Sequence, residues 1–160
     1  MKNLTLVIPA KNEKESLPQV LDELKKFGLE TLIILEKEDI ETIDSIKSYN
    51  CKILKQTKKG YGNALIEGIN NVETKYFCIF NADGSFDPTE LEKMHHLAEN
   101  ENFDLVFGSR YEKNAGSEDD TIVTYIGNKI FSLLGKIFFS LPLSDILYTF
   151  VLGDTQKIKK

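Results

Sequence analysis

The stretch Tyr76-Phe77-Cys78-Ile79-Phe80-Asn81-Ala82-Asp83-Gly84-Ser85-Phe86-Asp87-Pro88 decides how this sequence folds. Residues 76–80 form a short apolar and aromatic run, the pattern of a buried strand. The run passes straight into Asn81, Asp83, Ser85 and Asp87, oxygen-bearing side chains at alternating positions. Asp87 reads as an N-cap, with Pro88 at the first helical position and Glu90 three residues after the cap. The prediction is strand, acidic turn, helix. In open α/β sheets, ligands bind outside the carboxyl ends of the strands. Asp83 therefore stands where a divalent cation would be held, because hard cations take one or two carboxylates together with substrate phosphates. Asp and Asn are equally ordinary turn formers after a strand.

Working outward, the same alternation recurs. Residues 4–8 predict a first strand ended by Pro9, followed by a polar loop, Lys11-Asn12-Glu13. A helix then follows, with Ser16 and Gln19 at capping-box spacing and Leu17, Val20, Leu21 and Leu24 on one face, ending at Gly28. Residues 31–35 predict a second strand with an acidic loop beyond it. Ile40, Ile43 and Ile46 suggest a helix, and residues 51–54 a third strand. Lys58-Lys59-Gly60-Tyr61-Gly62 opens a further helix carried by Ala64, Leu65, Gly68, Ile69 and Val72. After the helix from Pro88 to about Leu97 come a strand over 104–107 and then Gly108-Ser109-Arg110-Tyr111. Residues 112–120 are expected to be a mobile polar loop. A strongly apolar helix over 121–140 and an apolar segment over 145–152 complete the pattern. Strands alternating with helices at this spacing indicate an α/β fold with a mostly parallel sheet.

Composition narrows the function. A length of 160 residues suggests one domain with a real core, and 41% hydrophobic with 28% charged residues argues against disorder. A net charge of −5 gives no electrostatic footprint for DNA or RNA, so nucleic-acid binding is set aside. Cys51 and Cys78 lie in separate apolar runs and read as core thiols in a reducing compartment rather than a disulfide. The apolar run at the N-terminus is too short for a secretory leader. Residues 130–152 are the most apolar in the chain, but Lys136, Pro142 and Asp145 interrupt them. They are expected to lie against a membrane surface, or to pair two copies of the chain, rather than to span a bilayer. Adjacent His95 and His96 have no partner at metal-site spacing and are expected on the surface.

The loops after the strands each carry chemistry. Glu36, beyond the second strand, could hydrogen-bond a ribose or base. Gly60-Tyr61-Gly62 precedes a helix whose N-terminal amides favour phosphate, with Lys58 and Lys59 alongside. It is neither a Walker motif nor a full dinucleotide fingerprint. Arg110 is the one arginine among 20 basic residues, and its planar fork suits bidentate phosphate binding.

In order and at these separations, VIPAKNE, KKGYGNALIEG, FNADGSFDP and DLVFGSRY resemble the family 2 glycosyltransferases of GT-A fold. The flavour is that of the dolichyl-phosphate mannose synthase and polyisoprenyl-phosphate glycosyltransferase branch. The resemblance runs from about residue 4 to 112 and more faintly to 155. It implies a single GT-A-like domain over 1–160, with a nucleotide-sugar-binding part at 1–111 and a shortened acceptor-side part at 112–160. It further implies inverting transfer of a sugar from a UDP- or GDP-linked donor to a lipid-phosphate or glycan acceptor, in the cytoplasm or at the inner face of a membrane. By the resemblance Pro9, Ala10, Lys11, Glu13 and Glu36 border the nucleoside, and Gly60 belongs to the donor site. Asn81, Ala82, Asp83 and Ser85 replace the family's metal turn, which takes Mg²⁺ or Mn²⁺. Arg110 faces phosphate, and Asp145 matches an acid proposed as general base. Asn81 and Lys37 depart from the family's acids, and the chain stops some tens of residues short of a full member. These departures keep open a catalytically weak nucleotide-sugar-binding module. A sugar nucleotidyltransferase is disfavoured, because Pro9 to Glu13 stand where its Gly-rich loop belongs.

Overall fold

The computed structural model describes residues 1–112, 121–141 and 143–159. Residues 113–120 of the loop expected over 112–120, and the interruption at Pro142, lie outside the described residues. A six-stranded sheet has the order β3-β2-β1-β4-β6-β5, formed by β1 (Leu4–Pro9), β2 (Glu30–Leu35), β3 (Lys52–Lys55), β4 (Tyr76–Ile79), β5 (Leu105–Phe107) and β6 (Val151–Asp154). β1 pairs in parallel with β2 and β4, β2 pairs in parallel with β3, and β6 runs antiparallel to β4. The helices are α1 (Ser16–Leu24), α2 (Ile40–Ser45), α3 (Tyr61–Asn70), α4 (Glu90–Asn100), α5 (Ile122–Phe139) and α6 (Thr155–Ile158).

Two compact units make up the chain: residues 1–106 with 151–160, and residues 107–150. In the first unit, β1, β2 and β4 are buried on both faces, which explains their continuous apolar runs. Val7, Leu32, Ile34, Ala64, Val72, Phe77 and Ile79 form a core cluster under α3. Gly68 sets that packing: a Cβ there would stand 2.6 Å from Val7 Cγ1 and 2.9 Å from Ile34 Cδ1. Gly153 does the same for β6, where a Cβ would meet Phe77 and Leu105 at 2.8 Å. β3 lies at the edge and carries Lys52 and Lys55, charges that discourage further pairing.

Several local expectations are corrected. Ser16 does not cap α1; its hydroxyl donates to the Glu13 carboxylate, and α1 begins after Glu15 without a side-chain cap. α4 starts at Glu90 rather than Pro88, because Asp87 accepts from the amide and hydroxyl of Thr89 and closes a turn instead. The segment after Asp145 contains strand β6, inserted between β4 and β5. His95 is buried rather than on the surface, edge-on to the Tyr76 ring at 5.4 Å between centroids. Burial lowers its pKa, only partly offset by the Glu99 carboxylate. Cys78 is fully buried, with its thiol pKa pushed up by desolvation, and neither cysteine forms a disulfide.

Candidate active site

The strand order reverses at β1, which lies between β2 and β4. Loops leaving the carboxyl ends of such strands diverge and open a crevice. Hydrogen bonds set where each loop departs: Ala10 N donates to Ile34 O at 2.9 Å, Phe80 N to Val7 O at 3.0 Å, and Gln56 N to Leu35 O at 2.9 Å. The first unit thus carries Pro9 to Glu13, Glu36, Gln56 to Gly60, and Asn81 to Ser85 on one edge of the sheet.

Glu36 is the charged centre of that edge. Its side chain is 14% exposed and lies between Lys11 Nζ at 3.0 Å and Lys59 Nζ at 3.8 Å. The loop behind it is braced by residues that carried no sequence signal. Asn12 N donates to Asp39 Oδ2 at 2.8 Å, and Glu13 N donates to Thr42 Oγ1 at 3.0 Å. Asp39 also caps α2 through Thr42 N. Asn12 adopts φ +59°, which asparagine tolerates better than most residues. On the neighbouring loop, Glu67 accepts from Thr57 N, Thr57 Oγ1 and Lys58 N. The Thr57 backbone bond is the main cause lowering the Glu67 pKa. Gly60 has φ +105° and ψ 150°, a conformation that favours glycine, and it directs the chain into α3.

The acidic turn is anchored by aromatic rings at both ends. Phe80 and Phe86 are buried and pack edge to face at 5.6 Å between centroids. Between them Asp83 and Ser85 are exposed, while Ala82 is buried beneath. Asp83 Oδ1 accepts from Ser85 N at 2.9 Å, and Asn81 Nδ2 donates to Ser85 Oγ at 3.0 Å. Oδ2 of Asp83 and the amide oxygen of Asn81 are acceptors beyond those two bonds. Among the described residues no three His, Cys, Asp or Glu side chains converge on one point. One carboxylate and a neutral oxygen fit a weak Mg²⁺ or Mn²⁺ site completed by ligand phosphates and water, not a closed protein cage.

The second unit holds Arg110 and Asp145. Asp145 is buried; Oδ2 accepts from Arg110 Nε at 2.8 Å and Arg110 N at 3.2 Å. Oδ1 accepts from Arg110 Nη2 at 3.1 Å and Asn128 Nδ2 at 2.7 Å. Burial pushes the carboxyl pKa up, but the Arg110 hydrogen bonds and charge, with Asn128, outweigh it and hold it below the usual range. The Arg110 guanidinium also lies 5.4 Å from the Tyr111 ring and 5.1 Å from that of Tyr148. Asn128 was not singled out by its sequence, although an amide within an apolar helix was its available signal.

Residues 5–159 match the profile of glycosyl transferase family 2. The chain belongs to that family. This family 2 domain is 32% identical over 108 residues to an uncharacterized glycosyltransferase of Mycobacterium tuberculosis, covering 67% of this chain and 48% of that one. It is 23% identical over 151 residues to the low-salt glycan biosynthesis hexosyltransferase Agl6 of Haloferax volcanii, covering 89% of this chain and 36% of that one. The chain therefore spans about half or less of the length of these curated relatives. Its fold matches glucosyl-3-phosphoglycerate synthase from Mycobacterium tuberculosis, crystallised with UDP, at a TM-score of 0.74 and 14% identity. That match covers 97% of this chain and 57% of the synthase. The synthase was also crystallised with Mn²⁺, UDP and glucosyl-3-phosphoglycerate. The family 2 domain has the GT-A fold.

Proposed function

We propose that this family 2 domain transfers a sugar from a nucleoside-diphosphate donor to an acceptor, with inversion at the anomeric carbon. The observation that carries the proposal is the grouping of Glu36, Gly60 and the 81–85 turn on one sheet edge, in a chain belonging to this family. Pro9, Ala10, Lys11, Glu13 and Glu36 border the nucleoside. Lys11 and Lys59, held on Glu36, add positive charge near the diphosphate, and the α3 N-terminus after Gly60 favours the same anion. Asp83, Asn81 and Ser85 would hold Mg²⁺ or Mn²⁺, which would neutralise charge developing on the leaving diphosphate. In the transfer, an acceptor oxygen bonds to the anomeric carbon as the bond to the diphosphate oxygen breaks.

Arg110 is assigned to a phosphate, of the donor or of the acceptor. Asp145 is assigned to positioning Arg110 rather than to proton abstraction, because four N–H groups already occupy its two oxygens. A phosphate acceptor is ionised and needs no base. This favours the polyisoprenyl-phosphate branch over a glycan hydroxyl. Cys51 and Cys78, both outside any disulfide, fit a cytoplasmic site of action.

The test is turnover. The protein is incubated with UDP- and GDP-linked hexoses and Mn²⁺, with a polyisoprenyl phosphate and a glycan alcohol as separate acceptors. Product in the phosphate arm, lost in Asp83→Ala, is expected. Metal-dependent nucleotide binding without transfer or donor hydrolysis would favour a binding module, a role consistent with Asn81 in the metal turn.

A further inference from the structure

Thr57-Lys58-Lys59-Gly60, the exposed segment leading into α3, has a sequence that disfavours order. Its two adjacent lysines repel each other, and its glycine adds backbone freedom. The structure nevertheless ties down every residue from 56 to 60. Gln56 N donates to Leu35 O at 2.9 Å, and its buried side chain donates from Nε2 to Lys58 O at 2.8 Å. Thr57 N donates to Glu67 Oε2 at 2.8 Å, and Thr57 Oγ1 and Lys58 N donate to Glu67 Oε1 at 2.9 and 3.0 Å. Asn63 Nδ2 donates to Lys59 O at 2.8 Å, and Gly60 O accepts from Ala64 N at 3.0 Å.

Most of these bonds come from α3 itself. Helix side chains four residues apart share a face and lean towards the N-terminus. Asn63 and Glu67 therefore form one ridge that reaches back over the segment before the helix. The close approach of Gly68 to Val7 and Ile34 fixes α3, and with it this ridge, against the sheet. Glu67 is the only charged residue of α3 and stands in its last turn, where the macrodipole disfavours an acid. Its bonds to the loop, not the helix, account for its place.

The loop so held carries Lys59, 3.8 Å from Glu36, and leads through Gly60 into the N-terminal amides of α3. Fixing these groups before a ligand arrives removes the cost of ordering them on binding. We propose that Glu67 is a positioning residue for the donor, holding residues 57–60 so that Lys59 and the α3 N-terminus meet the diphosphate. This role rests on the nucleoside-diphosphate function proposed above and adds to it a residue that acts through the loop. The sign of its effect is diagnostic. A carboxylate near a diphosphate repels it, so charge alone predicts tighter binding when Glu67 is removed. Positioning predicts weaker binding.

Glu67→Ala, Glu67→Gln and Glu67→Asp separate the two, by isothermal titration with UDP and GDP in the presence of Mn²⁺. Glu67→Ala should bind the preferred nucleotide about tenfold more weakly than wild type. Glu67→Gln keeps an oxygen for Thr57 Oγ1 and Lys58 N and should stay within about threefold of wild type. Glu67→Asp keeps the charge but is one methylene too short, and should resemble Glu67→Ala. Amide exchange at Thr57 and Lys58 should accelerate in the Ala and Asp variants. The thermal midpoint of Glu67→Ala should stay within a few degrees, because alanine favours the helix. In turnover, the donor KM should rise while kcat is retained. Should Glu67→Ala not fold, Gln and Asp carry the same comparison, with Asp the weaker binder. Wild-type protein that binds no nucleoside diphosphate would overturn the donor site, and this role with it. Wild-type binding that Glu67→Ala leaves unchanged or tightens would overturn the positioning role alone, as would a Glu67→Asp protein that matches wild type.

Discussion

Replacing Asp145 with asparagine isolates what the carboxylate does for Arg110. The carboxylate accepts four N–H groups, two on each oxygen. An asparagine NH₂ group at either position would confront two donors, so two bonds are lost and Arg110 loses its counter-charge. A hydrogen bond to a charged group contributes about 1.5–3 kcal/mol, and breaking a buried ion pair costs about 3–5 kcal/mol. The Asp145 side chain is 0% exposed but that of Arg110 is 23% exposed, so the lower end applies, about 3 kcal/mol. Urea denaturation at pH 7 should show this loss, with hydrogen exchange in residues 107–150 accelerated first. Acid should erase the difference. The folded-state pKa of Asp145 is lowered, so its stabilisation is complete above the unfolded value of about 3.9. It is lost as pH falls through the folded value. The gap between wild type and variant should therefore stay flat from about pH 5 to 7 and close below about pH 4. A variant within about 0.5 kcal/mol of wild type at pH 7, the range of an ordinary surface substitution, would refute the positioning role.

Three further outcomes are expected. Gly68→Ala should destabilise by about 1–3 kcal/mol through overpacking against Val7 and Ile34. A thermal midpoint equal to or above wild type would mean that helix propensity, not the α3–sheet contact, governs that position. Asn81→Asp should tighten Mn²⁺ binding about tenfold, equivalent to about 1.4 kcal/mol, as measured by isothermal titration in the presence of UDP. Unchanged affinity would remove residue 81 from the metal site. Glu36→Gln should free Lys11 and Lys59 and weaken nucleoside binding while leaving the denaturation midpoint nearly unchanged, because both lysines are exposed. A large loss of stability instead would make Glu36 structural.

The strands β1, β2 and β4 were legible in the sequence because each is buried on both faces and reads as an unbroken apolar run. The turn after β4 was legible because oxygen-bearing side chains followed such a run without a break. What escaped depends on partners distant in sequence. Val151 to Asp154 looked like the tail of an apolar segment, and only pairing with Tyr76 to Ile79 makes it a strand. Asp87 and Ser16 have the composition of helix caps, but each hydrogen-bonds a closer partner. His95 is buried because Tyr76, from another element, packs against it. Asn128 and Ser132 looked like interruptions in an apolar helix, whereas they are the face that holds it in place. In each case local chemistry named the residue and tertiary geometry decided its use.

The central claim is a metal-assisted nucleoside-diphosphate site built on Asp83. It is tested most directly by the thermal midpoint of the protein with UDP, GDP and their hexose conjugates, each with and without Mn²⁺. A ligand that binds only the native state stabilises it by about 2.7 kcal/mol at a hundredfold excess over its dissociation constant. One base should raise the midpoint by several degrees with Mn²⁺ present, little without it, and not at all in Asp83→Ala. Equal shifts in wild type and Asp83→Ala, or none with any nucleotide, would contradict the account.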